Sequence, residues 1–164
     1  MSELQIIPYK FSSKTKRKFL ISFSLFRMEG AYRNFDKYFN SLKLLLKESN
    51  ISDCDVCIFV DNSVLNYKPF KHWIDNDVQK MKHVIILQYI CEDFLKPKSD
   101  YHYGTFGSIM RLYALTHEFA ETFHKYDSVF ISDVDMQPYE VNQKFIYEMI
   151  HNKASICYLS LIHI

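Results

Sequence analysis

Two carboxylates one residue apart, Asp133 and Asp135, close the apolar run Ser128-Val129-Phe130-Ile131-Ser132. A strand buried on both faces of a parallel sheet reads as such a continuous apolar run. Ligands of open α/β sheets bind just past the carboxyl ends of these strands. Asp-x-Asp at that place sets hard oxygen ligands on a crevice, where a hydrated Mg²⁺ or Mn²⁺ can bridge to phosphate oxygens. The plainer reading is a turn, since Asp is common where strands stop. The surrounding residues favour chemistry. Other candidates are weaker: Cys54 and Cys57 have C-x-x-C spacing but fall on one predicted strand, where positions three apart face opposite ways. A shared metal or redox pair is therefore not expected. His117-Glu118 lacks the second His four residues on that a zinc-protease helix needs, because position 121 is Glu. His117 and His124 are expected on a partly buried helix flank.

The elements that must position the Asp pair alternate in period along the chain. Phe19–Phe26 reads as a first strand. Tyr32, Phe35, Phe39, Leu42 and Leu46 follow at helical spacing and form one apolar stripe, ending near Ser49-Asn50. Val56–Val60 is a second strand ending at Asp61-Asn62. Phe70, Trp73, Ile74, Val78 and Met81 have helical spacing, with Asp77 the polar exception, and Val84–Leu87 is a third strand that can reach Ile90. After a polar loop around 96–100, Ile109, Leu112, Thr116, Phe119 and Phe123 mark one face of a long helix leading into the strand of the Asp pair. Val141, Phe145, Ile146, Met149 and Ile150 predict a further helix, and 154–159 a fifth strand. This alternation predicts an α/β protein with a mainly parallel sheet and helices on both faces.

Length and composition bound the function. A chain of 164 residues is about one domain. Its net charge of +1 gives no reason to expect nucleic acid or an anionic membrane as partner. The basic cluster Lys14, Lys16, Arg17 and Lys18 reads as a solvated part of a polar lead-in over residues 1–17. No apolar stretch is long enough to span a bilayer or to serve as a secretory signal, so a cytoplasmic protein is expected. Four cysteines do not make a disulfide framework in a chain of this size.

The segment Gly104-Thr105-Phe106-Gly107-Ser108-Ile109-Met110-Arg111-Leu112, followed by Tyr126-Asp127-Ser128-Val129-Phe130-Ile131-Ser132-Asp133-Val134-Asp135, resembles a GT-A glycosyltransferase of the glycogenin-like group. There, a helix bearing an Arg leads into a strand ending in Asp-x-Asp. The resemblance covers residues 18–158 and implies a Rossmann-like nucleotide-binding half. It implies transfer of a sugar from a nucleotide diphosphate-sugar, a UDP-sugar being favoured, to an unidentified acceptor, with Mn²⁺ or Mg²⁺ as cofactor. The cation neutralises the diphosphate as it leaves. Asp135 would ligate the metal. Asp133 would accept from the ribose hydroxyls or add a second metal contact. Arg111 would reach the phosphates or brace Asp133, its alternative being a surface Arg beside Glu118. Tyr32 would stack on the base, or else pack in the first helix. Asp61 would hydrogen-bond base or ribose, or else form a turn.

Two competing functions remain open at this stage. A haloacid-dehalogenase-like phosphatase also uses Asp-x-Asp after a strand, but normally the first strand, with Thr or Val where this chain has Gln137. A nucleotide-sugar-binding protein of glycosyltransferase ancestry without turnover is the other. Residues 159–164 match the translation of a transposase end used in preparing DNA libraries. They are read as a non-native tail on a truncated domain, the alternative being an extension of the fifth strand.

Overall fold

The computed structural model describes residues 3–11, 17–27, 34–48, 54–91 and 100–134, without the side chains of 100–103. Five strands form one sheet: β1 (Gln5–Lys10), β2 (Phe19–Leu25), β3 (Cys54–Val60), β4 (Val84–Ile90) and β5 (Ser128–Ile131). Their spatial order is β1-β4-β3-β2-β5. Strands β4, β3, β2 and β5 run parallel, and β1 adds antiparallel to β4. The chain therefore moves outward from β2 through β3 to β4, then returns to β2's other side for β5. The order reverses at the β2–β5 boundary.

Helices α1 (Phe35–Glu48), α2 (Asn62–Leu65) and α3 (Lys68–Asn76) connect the strands before β4. Asn34 starts α1, its side-chain oxygen accepting from the Asp36 and Lys37 amides at 3.0 and 3.4 Å. The predicted stripe is the buried face: Phe39, Leu42 and Leu46 pack with Phe70, Trp73 and Ile74 against Ile21, Phe23, Leu25, Val56, Ile58 and Val60. The opposite sheet face, with Leu20, Cys57, Phe59, Ile85, Leu87 and Tyr89, is covered by Met110, Ala114 and Phe119. Alternation along each strand thus feeds two cores. Cys54 and Cys57 fall into different ones, which keeps the two buried thiols on opposite faces.

Three elements differ from the sequence expectation. First, the supposed lead-in over residues 1–17 supplies β1. Leu4, Ile6 and Phe11 pack on the second core, while Ile7 and Tyr9 face outward. Pro8 and a register shift between Pro8 and Lys10 suit an edge strand, where one missing amide donor is tolerated. Lys10 then folds its ammonium onto the Met81 and Val84 carbonyls, both at 2.7 Å.

Second, no single helix spans 109–123. Helix α4 (Asp100–Ile109) passes into a 3-10 segment, Met110–Leu115, and α5 (His117–Thr122) begins anew. Thr116 makes the break: its backbone is extended, and its hydroxyl accepts from the Phe119 amide at 3.2 Å. In a 3-10 turn, residues three apart eclipse. Ile109, Leu112 and Leu115 accordingly share one outward side, 50%, 36% and 55% exposed, and Met110, Arg111 and Ala114 turn to the sheet. The expected apolar face was set by an α-helical period that the backbone does not keep. His117 is exposed, meeting Glu121 one turn on at 2.8 Å, rather than half-buried.

Third, the helix expected over 70–81 stops at Asn76, and Val78–Lys80 form a 3-10 turn, leaving Asp77 between them in solvent. The polar loop, the helix expected at 141–150, the strand at 154–159 and the tail at 159–164 lie outside the described residues.

Candidate functional site

The strand order reverses between β2 and β5, and in open, mainly parallel sheets such a switch point, just outside the carboxyl ends of the strands, is where a ligand crevice forms. Phe26 and Arg27 follow β2 there, Asp61 follows β3, and Ser132 and Asp133 follow β5. The Ser132 amide donates to the Ser22 carbonyl at 3.1 Å, which carries the β2–β5 pairing one residue beyond the strand. Asp133 therefore leaves the sheet from a fixed position.

Arg111 meets it there. Its Nη1 donates to Asp133 Oδ1 and, at 3.4 Å, to the Ser132 carbonyl. The Arg111 side chain is 9% exposed and that of Asp133 23%. Buried Ser22 fixes the other end of Arg111, donating its hydroxyl to the Arg111 carbonyl at 2.8 Å. A serine inside an apolar strand would ordinarily weaken it. Here it gives a 3-10 carbonyl the partner that burial demands. Arg111 is thus a brace for Asp133, and Glu118 is met instead by the Tyr113 hydroxyl, whose pKa is pushed up to about 12 by burial first and this bond second.

Asp61 is both turn former and candidate ligand. It caps α2, Oδ1 accepting from the Ser63 hydroxyl at 2.7 Å and the Val64 amide at 3.2 Å. Its second oxygen, Oδ2, is buried without a hydrogen-bond partner among the described residues. Burial pushes its pKa above the ordinary carboxylate value, and the Ser63 and Val64 bonds pull it part of the way back. Tyr89 is the neighbour that sequence reading missed. Val60 pairs with Gln88 across β3 and β4, so Asp61 and Tyr89 stand next along their strands, on the same face. The Tyr89 hydroxyl is also buried without a partner among the described residues. Its pKa is raised well above the ordinary phenol value by burial, then by the Asp61 charge. Only the period-2 register of two strands, unknown before folding, puts these groups side by side.

The Gly104–Ser108 stretch gains a structural reason. A Cβ on Gly107 would overlap the Phe26 ring, so α4 approaches the end of β2 only because position 107 is glycine. Phe106 on the same helix packs edge-on against Tyr89, centroids 5.8 Å apart. Helix α4 therefore packs over the ends of β2 and β4, against Phe26 and Tyr89.

Of the sequence candidates, Arg111 and Asp133 are brought together, Asp61 lies on the same sheet edge, and Tyr32 and Asp135 lie outside the described residues. Among the described residues no group of three His, Cys, Asp or Glu side chains could hold a metal ion. With Asp133 Oδ1 engaged by Arg111, a cation at this edge would depend on Asp135 and the remaining Asp133 oxygen. No helix among the described residues is long and apolar enough to cross a membrane. Comparison of the chain with models of known families, with curated proteins and with solved structures found no match.

A second polar cluster lies at the opposite, amino-terminal end of β3. Asp55, fully buried, accepts from the Tyr126 hydroxyl at 3.0 Å and lies 3.5 Å from Arg17 Nε, while Arg17 also donates to the Cys54 carbonyl. Arg17, expected in a solvated basic cluster, is instead part of a buried-charge brace. Asp55 meets the rule that buried charges be paired. The cluster fastens the entry of β2 and the approach to β5, far from the crevice.

Proposed function

We propose that this chain is the nucleotide-sugar-binding part of a metal-dependent glycosyltransferase with a Rossmann-like GT-A fold. It takes a nucleotide diphosphate-sugar, a UDP-sugar being favoured, and passes the sugar to an acceptor. The observation that carries this reading is the Arg111–Asp133 pair, held at the carboxyl end of β5 beside the β2–β5 order reversal. An Arg that fixes the first carboxylate of an Asp-x-Asp gives that carboxylate one orientation toward the crevice. Asp133 then serves the ribose hydroxyls, and Asp135 carries the Mn²⁺ or Mg²⁺ contact. The cation, when bound, offsets the charge of the departing diphosphate. Asp61, at the end of β3, addresses the base or ribose.

Thermal unfolding with UDP tests this. At UDP about one hundred times its dissociation constant the protein gains about 2.7 kcal/mol of stability. That gain requires Mn²⁺ or Mg²⁺, and Asp135→Asn abolishes its metal-dependent part while leaving the fold intact. Equal stabilisation by UDP with Mn²⁺ and with chelator, unchanged in Asp135→Asn, reduces the Asp pair to a turn.

A further inference from the structure

Arg27 is the exposed cation that follows β2 at the same edge. Its guanidinium lies over the Tyr67 ring, 4.4 Å from the centroid, and 5.5 Å from that of Phe35. The platform is fixed. The Tyr67 hydroxyl donates to Asp36 Oδ1 at 2.7 Å, and the Tyr67 ring meets Phe35 edge-on at 5.4 Å, so the first turn of α1 holds this ring at the start of α3. The Arg27 amide donates to Ser63 Oγ at 3.1 Å, the same hydroxyl that donates to Asp61. The Arg27 backbone and the Asp61 carboxylate thus share one serine. The Arg27 guanidinium has no ion-pair partner among the described residues, and Asp36 accepts from Tyr67 instead.

Arg111, the other described Arg at this edge, is buried against Asp133 and the Ser132 carbonyl and does not present its charge to solvent. Any protein cation that supplements the divalent metal on the ligand's phosphates must therefore come from elsewhere on this edge. A guanidinium stacked on an aromatic ring has lost rotamer freedom but keeps its planar fork of N–H donors, the geometry that matches phosphate oxygens. Asp61 Oδ2, at the end of β3, is a buried acceptor without a hydrogen-bond partner among the described residues.

We propose that Arg27, stacked on Tyr67, is the residue that binds the phosphate groups of the ligand at the β2–β3 edge of the crevice. This rests on the nucleotide-sugar reading above.

The test is calorimetric titration of UDP and of uridine, each with Mn²⁺, into wild type, Arg27→Gln and Arg27→Lys. Arg27→Gln is expected to weaken UDP about tenfold or more and to leave uridine unchanged. Arg27→Lys, which keeps the charge but loses the fork, falls between. The salt dependence of UDP binding should also flatten in Arg27→Gln, whose exposed site leaves the melting temperature near wild type. UDP binding equal in wild type and Arg27→Gln overturns the role of Arg27 while leaving the nucleotide reading standing. An equal loss for UDP and uridine overturns it as well, assigning Arg27 to crevice shape. Wild type that binds neither compound sinks the nucleotide reading itself.

Discussion

Replacing Arg111 with Met removes its charge while keeping most of its length and the backbone carbonyl that Ser22 holds. The loss includes the contacts of Nη1 with Asp133 and Ser132. Exposed ion pairs contribute roughly 0–1 kcal/mol, whereas stripping one partner from a buried pair costs roughly 3–5 kcal/mol. Asp133 retains 23% exposure, so water recovers part of its solvation, and Arg111 at 9% gives up a costly buried charge. The expected loss is about 2–3 kcal/mol, between those limits. In a chain of this length that lowers the melting temperature by roughly 5–10 °C. Trp73, the one tryptophan, is buried in the core beneath α1 and reports unfolding directly. Urea titration followed by its fluorescence should show a lower midpoint at unchanged slope. Asp133→Asn keeps an acceptor oxygen and should cost less. The double variant should be more stable than the sum of the single losses predicts, by more than about 1 kcal/mol of coupling. A loss below about 0.5 kcal/mol with no coupling would refute the buried brace and return Arg111 to the surface class.

Gly107→Ala forces a methyl into the Phe26 ring and should cost about 1–3 kcal/mol, whereas Gly107→Ala combined with Phe26→Leu should recover part of it. Recovery absent, with wild-type stability in the single variant, would show that α4 does not press on the end of β2. Asp61→Asn keeps the oxygen that accepts from Ser63 and Val64 but carries no charge. Because burial raises the folded pKa of Asp61, wild type releases this proton more readily when unfolded. Its stability therefore falls as pH rises from the ordinary carboxylate value, about 3.9, through the raised one. Asparagine escapes that loss, so the stability difference between variant and wild type should grow in favour of the variant across that window and level off above it. A difference constant between pH 4 and pH 8 would show that Asp61 ionises without hindrance.

Periodicity in the sequence was sufficient for β2, β3, β4 and β5, for the buried stripe of α1, and for the separation of Cys54 from Cys57. Each of these is decided by which neighbours along one strand or helix are apolar, and that is local information. Asp133 was likewise legible, since a run of apolar residues ending in carboxylates marks a strand that leaves the sheet. The fold overruled the sequence where two local signals competed. Thr116 outbid the helical continuation between Ile109 and Phe123 because its hydroxyl caps a new helix, and the resulting 3-10 turn rotated Arg111 inward. Edge strand β1 was hidden by its short, proline-bearing pattern, since it buries only one side and is recruited by the unpaired edge of β4. The partnerships that shape the site belong to tertiary structure alone. Arg111 with Asp133, Asp61 with Tyr89, Arg27 with Tyr67 and Ser22 with Arg111 join residues 22, 28, 40 and 89 positions apart. Strand order and register bring such pairs together, and no spacing within the chain encodes them.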